Sequence, residues 1–386
     1  QILPRLVGSE MCIRDSLMTD PIKIFGNVGS PYTQKMLSLL RYRNIPYSVS
    51  WGDVVQNLSF LNIEPPKPVL LPTMVFKDDK GSDICRTDTT PIIRYLEELY
   101  KEKSVIPPSP VLSFLNYLLE DFADEWTTKY MFHYRWYFNE DADNAKKMLV
   151  LQNKIDIDDE SLSQFGDIIA DRQINRLWVV GSNDETAKLI DESYKRYLSL
   201  MEKHLALLPF MFGQRPSSSD FGLYGQLTQL VGFDPTPRNI ANKQSPRTVS
   251  WVTIMSDLSG LHDSGGIGEF FGVKTNETNN KNKVNYFKDH NYGWLNIDNV
   301  PNSLIEIFNE VGKVYIPCLI ANANAYENGD EVWETSIDGE IWKQKTFPYQ
   351  VKCLNWIKDE FNKLSPDDKK IILNLISGSV CEKILN

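Results

Sequence analysis

The chain has 386 residues, of which 42% are hydrophobic and 24% charged, with a formal net charge of −10. That length supports two domains with a sizeable core, and the acidic balance argues against a nucleic-acid or anionic-membrane surface. No apolar run approaches the roughly 20 residues that span a bilayer. No Cys-x-x-Cys pair or His-rich tract points to zinc or a disulfide framework, so Cys12, Cys85, Cys318, Cys353 and Cys381 fit a reducing cytoplasm.

Residues 1–17 show no clear period and no signal-peptide core, and they read as translated adaptor sequence. Met18 is then the start, and Cys12 is not part of the protein. Lys23–Gly26 reads as a buried strand and Tyr32–Tyr42 as a helix with Met36, Leu39 and Leu40 inward. Tyr47–Trp51 alternates as a second strand, and Val54–Leu61 reads as a short helix. Thr73–Phe76 and Ser82–Cys85 are strands three and four, followed by a helix over Pro91–Tyr100. The order is βαβ, short helix, ββα. The Pro-rich segment ending at Pro110 marks a boundary, giving a first domain over 18–102, a linker over 103–110 and a helical part over 111–386.

In that second part Val111–Trp136 has long helical periodicity. Ser182-Asn183-Asp184-Glu185 reads as a capping box opening the next helix, which Leu208-Pro209 ends. Ser217 with Asp220 three residues on is a variant capping box before the apolar run Phe221, Leu223, Tyr224, Leu227, Leu230. From about residue 264 the chain continues as an extension. It holds a polar stretch over Asn276–Lys283, a helical segment over Ser303–Asn328 despite Pro317, and two closing helices over Val351–Leu364 and Pro366–Leu375. Between the Ser303–Asn328 segment and the closing helices lies a hairpin whose strands, Val332–Thr335 and Glu340–Gln344, flank the turn Asp338-Gly339. Its tryptophans favour packing onto the helical part over an independent domain, since a lone hairpin is marginal in water.

Three motifs recur in order: an apolar strand running into Gly29-Ser30-Pro31-Tyr32, then Leu71-Pro72 before a strand, then Asp88-Thr89 at a helix start. With the Ser217–Asp220 cap, they resemble the glutathione S-transferase family. The resemblance covers Ile22 to about Asp263 and implies an α/β thioredoxin-like N-terminal domain followed by an all-α C-terminal domain, here extended by a β-hairpin. It also implies reduced glutathione as co-substrate rather than as a bound cofactor, no metal, and a small hydrophobic molecule as second substrate. The family is commonly dimeric, so a homodimer is an open partner alternative, with no nucleic acid or membrane.

The resemblance gives Ser30 the catalytic part: hydrogen bonding and the helix dipole would lower the pKa of the bound thiol. Ser30 is also satisfied simply as an N-cap, and Tyr32 and Thr33 are neighbouring hydroxyl candidates. Leu71 before Pro72 would pair backbone to backbone with the cysteinyl unit across a cis-Pro corner; a trans Pro before an edge strand is the alternative. Asp88-Thr89 stand where the family carries Glu-Ser for the γ-glutamyl end, and a helix with Thr90 as N-cap and Pro91 at N1 is compatible with that role.

Glu120, Asp121, Asp124 and Glu125 form i,i+4 pairs of like charge. None of His133, His204, His262 and His290 lies in a Glu-x-x-His pattern, so a solvated or Lys/Arg-paired face is favoured over a metal site. The aromatic run from Trp126 through Phe138 follows. The resemblance implies an electrophile pocket lined by Tyr32, Trp126, Tyr130, His133 and Tyr134, while ordinary core packing, with His133 a hydrogen-bonded structural histidine, is the alternative. The implied reaction is attack of glutathione thiolate on a hydrophobic electrophile or peroxide. A non-catalytic binding or scaffold protein on the same fold, and a glutathione-dependent dehalogenase or isomerase, are the rivals.

Overall fold

The structure, a computed structural model, describes residues 21–78, 80–261 and 293–385. The adaptor-like segment with Cys12 and Met18, the polar stretch over Asn276–Lys283, and His262 and His290 lie outside the described residues.

Strand β1 (Ile22–Gly26) divides its side chains between two cores. Ile22 and Ile24 join a large core with Met36, Leu39 and Leu40, while Phe25 joins a smaller one with Val54, Leu58, Ile63 and Val75. Helix α1 (Pro31–Tyr42) crosses over to β2 (Tyr47–Trp51), which pairs parallel with β1. Helix α2 (Val54–Phe60) covers the smaller core. Strand β3 (Thr73–Lys77) runs antiparallel to β1 and to β4 (Asp83–Arg86), giving the sheet order β2-β1-β3-β4. Helix α3 (Thr89–Leu99) adds Ile92, Ile93 and Leu96 to the large core. These are the elements read from the sequence, with ends displaced by one or two residues. One correction is needed: α3 starts at Thr89, not at Pro91, and Asp88 holds the capping position without a side-chain cap bond.

The helical part runs through α4 (Pro110–Glu125), α5 (Thr127–Tyr137), α6 (Asn139–Asn153), α7 (Asp159–Ile174), α8 (Ala187–Leu205), α9 (Ser218–Gly232), α10 (Pro235–Gln244) and α11 (Pro246–Met255). The single periodicity over 111–136 is two helices. At Trp126 the chain tightens, and the Lys129 N–H bonds the Trp126 carbonyl three residues back at 2.9 Å. Ser182–Glu185 is a turn rather than a capping box: the Asn183 Oδ1 accepts from the Glu185 and Thr186 N–H groups. The Ser217–Asp220 capping box is formed. Helix α9 is buried nearly all round and crosses α1 so closely that a Cβ on Gly225 would lie 2.4 Å from the Pro31 carbonyl oxygen.

The extension continues with α12 (Asn302–Glu310), a π-helical turn over Val311–Tyr315, and α13 (Ile316–Asn328). The wide turn lies just before Pro317, which has no N–H for an ordinary helical bond. Strands β5 (Val332–Ile337) and β6 (Glu340–Lys345) pair across Asp338 at φ 52° and Gly339 at φ 83°, the two positive values a type I′ turn requires. Helices α14 (Pro348–Asn362) and α15 (Pro366–Leu375) close the chain. The extension shares the large core: Trp342 lies 5.2 Å from Trp126, Tyr315 6.0 Å from Phe122, and Phe361 5.3 Å from Phe114, ring to ring.

Candidate functional site

Strand register brings three loops to one end of the sheet. Phe25 pairs with Thr73 and Met74 with Arg86, so the turn after β1, the residues before β3 and those after β4 are neighbours. Ser30, Leu71, Pro72, Asp88 and Thr89 therefore share this end.

Ser30 is the N-cap of α1, and its Oγ accepts from the Thr33 N–H at 3.3 Å. This bond uses Oγ as acceptor and leaves the hydroxyl proton for another acceptor. The turn before it is pinned at both carbonyls. Gln34 Nε2 donates to Val28 at 2.8 Å, and Arg135 donates to Gly29 at 3.0 Å while forking onto Asp234. Helix α6 closes over the same turn, where a Cβ on Gly29 would fall 2.1 Å from Leu149 Cδ2. The Leu71–Pro72 peptide is cis.

Asp88 adopts φ 72°, unusual for a residue with a Cβ, as it leads into α3. Its Oδ2 accepts from the Tyr349 hydroxyl of α14 at 2.9 Å. Thr89 Oγ1 accepts from Lys35 Nζ at 3.0 Å, and Lys35 itself is 1% exposed. The same ammonium bridges Glu120 at 2.9 Å and Asp124 at 2.6 Å. Arg94, Thr90 and Ser218 also bond Glu120.

The acids of α4 were expected on a solvated or cation-paired face. Glu120 and Asp124 are paired and turned inward, where Lys35 of α1 relieves their i,i+4 repulsion; Asp121 instead accepts from the Tyr315 hydroxyl and, like Glu125, is only partly buried. Burial disfavours the charge on Glu120, yet Lys35 and Arg94 prevail and hold its carboxyl at about 2. Asp124 goes the other way, to about 6, because burial and neighbouring Glu120 outweigh Lys35. Burial lifts Asp121 to about 7 against the hydrogen bond from Tyr315, and lifts Glu125 to about 8 with help from Asp121. Among the described residues, no group of three or more His, Cys, Asp or Glu could hold a metal ion.

Tyr32 donates its hydroxyl to the Asp124 carbonyl at 2.8 Å, and burial with Glu125 and Asp124 keeps the phenol protonated. Thr33 Oγ1 is buried against Gly26, where an added Cβ would lie 2.6 Å away. The implied aromatic pocket is not an open wall. Trp126, Tyr130, His133 and Tyr134 are all at 0% exposure, with Trp342 and Tyr315 of the extension packed on Trp126. Their polar atoms bond internally, apart from the buried His133 Nε2. Trp126 Nε1 donates to the Tyr130 hydroxyl, Tyr130 meets Ser193, and Ser193 donates to Glu310. Tyr134 donates to Asp191. His133 Nδ1 meets the Ser182 hydroxyl at 2.7 Å, and burial lowers its pKa to about 4. Sequence reasoning missed Lys35 and Tyr349. A lone lysine beside Met36 on a largely buried helix was a usable hint for the first; nothing local marks the second.

A sheet of this order with these three loops, joined to a helical domain, defines a glutathione transferase-type architecture. Residues 24–104 match the family described as glutathione S-transferase, N-terminal domain. No curated protein matches the chain. Similar solved structures include a glutathione transferase family member from Pseudomonas fluorescens with two glutathione bound, at 15% identity over 60% of this chain and 87% of that one, TM-score 0.39. Others are a glutathione S-transferase from Rhodospirillum rubrum, at 17% over 60% and 86%, TM-score 0.37, and a maleylacetoacetate isomerase from Anaeromyxobacter dehalogenans, at 13% over 61% and 90%, TM-score 0.35.

Proposed function

We propose that this chain binds reduced glutathione at the sheet end formed by Ser30, Leu71, Pro72, Asp88 and Thr89, and presents its thiolate to an electrophile. The observation that carries this reading is the convergence of three loops on one end, with a capping hydroxyl that can still donate. The Ser30 hydroxyl and the α1 N-terminus would stabilise the thiolate. Asp88 offers a carboxylate to the α-ammonium of the γ-glutamyl group, and Thr89, backed by Lys35, offers a hydroxyl to its carboxylate. Leu71 would pair through its backbone. The sulfur lone pair then forms the bond to the electrophilic atom, and the leaving group departs with the displaced pair.

The surroundings of Tyr32 are polar, with Asp124, Glu125, Thr128 and Gln226 beside it. A second reading, a binding protein without turnover, draws on the occupation of Asp88 by Tyr349. Calorimetric titration with glutathione, followed by an electrophile screen, separates the two. Saturable binding is expected, with Ser30→Ala lowering turnover roughly tenfold or more at unchanged fold. No binding at millimolar glutathione would overturn the proposal; binding without turnover of any electrophile would favour the second reading.

A further inference from the structure

The extension meets the proposed ligand-binding groups through the hydrogen bond from Tyr349 to Asp88. Tyr349 is presented by a fixed scaffold. The residue two before it, Phe347, is held at both backbone groups by Asn322, whose amide donates to the Phe347 carbonyl at 3.0 Å and accepts from its N–H at 2.8 Å. Asn322 is fully buried and also accepts from Trp333 Nε1, so the hairpin, α13 and the start of α14 lock together at this point. The Tyr349 ring stands edge-on to Trp356 at 6.0 Å. The phenol is a neutral donor, kept protonated by burial and by Asp88 itself. It therefore meets Asp88 as an ammonium would, as a hydrogen-bond donor to the carboxylate, but without the charge.

We propose that Tyr349 is a specificity-determining residue of the glutathione site. Its hydroxyl competes with the α-ammonium of the γ-glutamyl group for Asp88, so the extension sets the affinity for amine-bearing thiols. The inference rests on the assignment of Asp88 to that ammonium. It differs from a general loosening of the site because only ligands carrying the amine should feel the loss of the hydroxyl.

The test compares two ligands on the full chain by calorimetry: glutathione, and the analogue in which a glutaryl group replaces γ-glutamyl and so lacks the amine. Tyr349→Phe keeps the ring and its packing. It should bind glutathione about tenfold tighter, in line with the strength of a hydrogen bond to a charged group, and bind the analogue as before. An unchanged or weaker glutathione affinity overturns the inference, as does an equal gain for both ligands. Asp88→Asn checks the foundation separately, since it should abolish the preference for glutathione over the analogue. If that preference never existed, the site assignment fails and the inference falls with it. If Asp88 dependence holds and Tyr349→Phe gains nothing, only the inference fails.

Discussion

Lys35 brings one ammonium to two carboxylates and a threonine hydroxyl, out of contact with water. A buried pair of this kind adds little over a well-packed apolar equivalent, but losing one partner is costly because the other charges stay buried and uncompensated. Lys35→Met should therefore destabilise the protein by roughly 3–5 kcal/mol, read from the denaturant midpoint. Adding Glu120→Gln and Asp124→Asn should recover much of that loss; no recovery would show that Lys35 acts through packing alone. At this scale the sequence revealed what is local. Ser30 is recognisable because a cap needs only its own helix start, and Asp88-Thr89 because they open α3. The partners of Lys35 are 85 and 89 residues away, and spacing along the chain carries no trace of them.

The hairpin shows how an element can be legible while its purpose is not. Asp338-Gly339 requires positive φ at both turn positions, so the turn and the pairing follow from the local sequence. Which face it buries, and against what, does not. Trp342 lies on Trp126 and donates to Gln344, which in turn donates to the Val179 carbonyl. Trp342→Ala should cost about 3–5 kcal/mol by opening a large cavity, measured by chemical unfolding. Ile341→Ala, on the opposite, exposed face at 54%, should change little; equal losses would mean that the hairpin is stabilised by pairing rather than by packing. The long helix read over 111–136 fails for a related reason. Hydrophobic period continues through Trp126, but its side chain enters the core where the extension meets α4 and α5, and the backbone tightens there.

At the scale of the molecule, the seam around α4 carries a pH signature. The folded state holds Asp121 near 7 and Glu125 near 8, chiefly by burial, well above the ordinary carboxylate range. A raised folded-state pKa favours the protonated form, so the stability these groups contribute is full below about pH 4 and is lost as pH rises through about 7 to 8. Glu120, held near 2, has the opposite sign, and its contribution is lost only as pH falls below about 4. The melting temperature should accordingly fall between about pH 4 and about pH 8, and Asp121→Asn should flatten that fall while preserving the acceptor for Tyr315. A parent profile that is level over this range would show that the seam relaxes to admit water.

The sequence by itself determined the thioredoxin-like half, the capping of α9 and the existence of the hairpin, because each follows from short-range periods, caps and turn geometry. It also marked Ser30, Leu71-Pro72 and Asp88-Thr89 as a set, because loop motifs keep their order along the chain. Only the tertiary structure decided that Glu120 and Asp124 of α4 turn inward onto Lys35, that Trp126, Tyr130, His133 and Tyr134 are buried in the core, and that Tyr349 reaches Asp88 across 261 residues. Those outcomes depend on which distant surfaces bury one another, and burial is a property of the folded chain that no local pattern encodes.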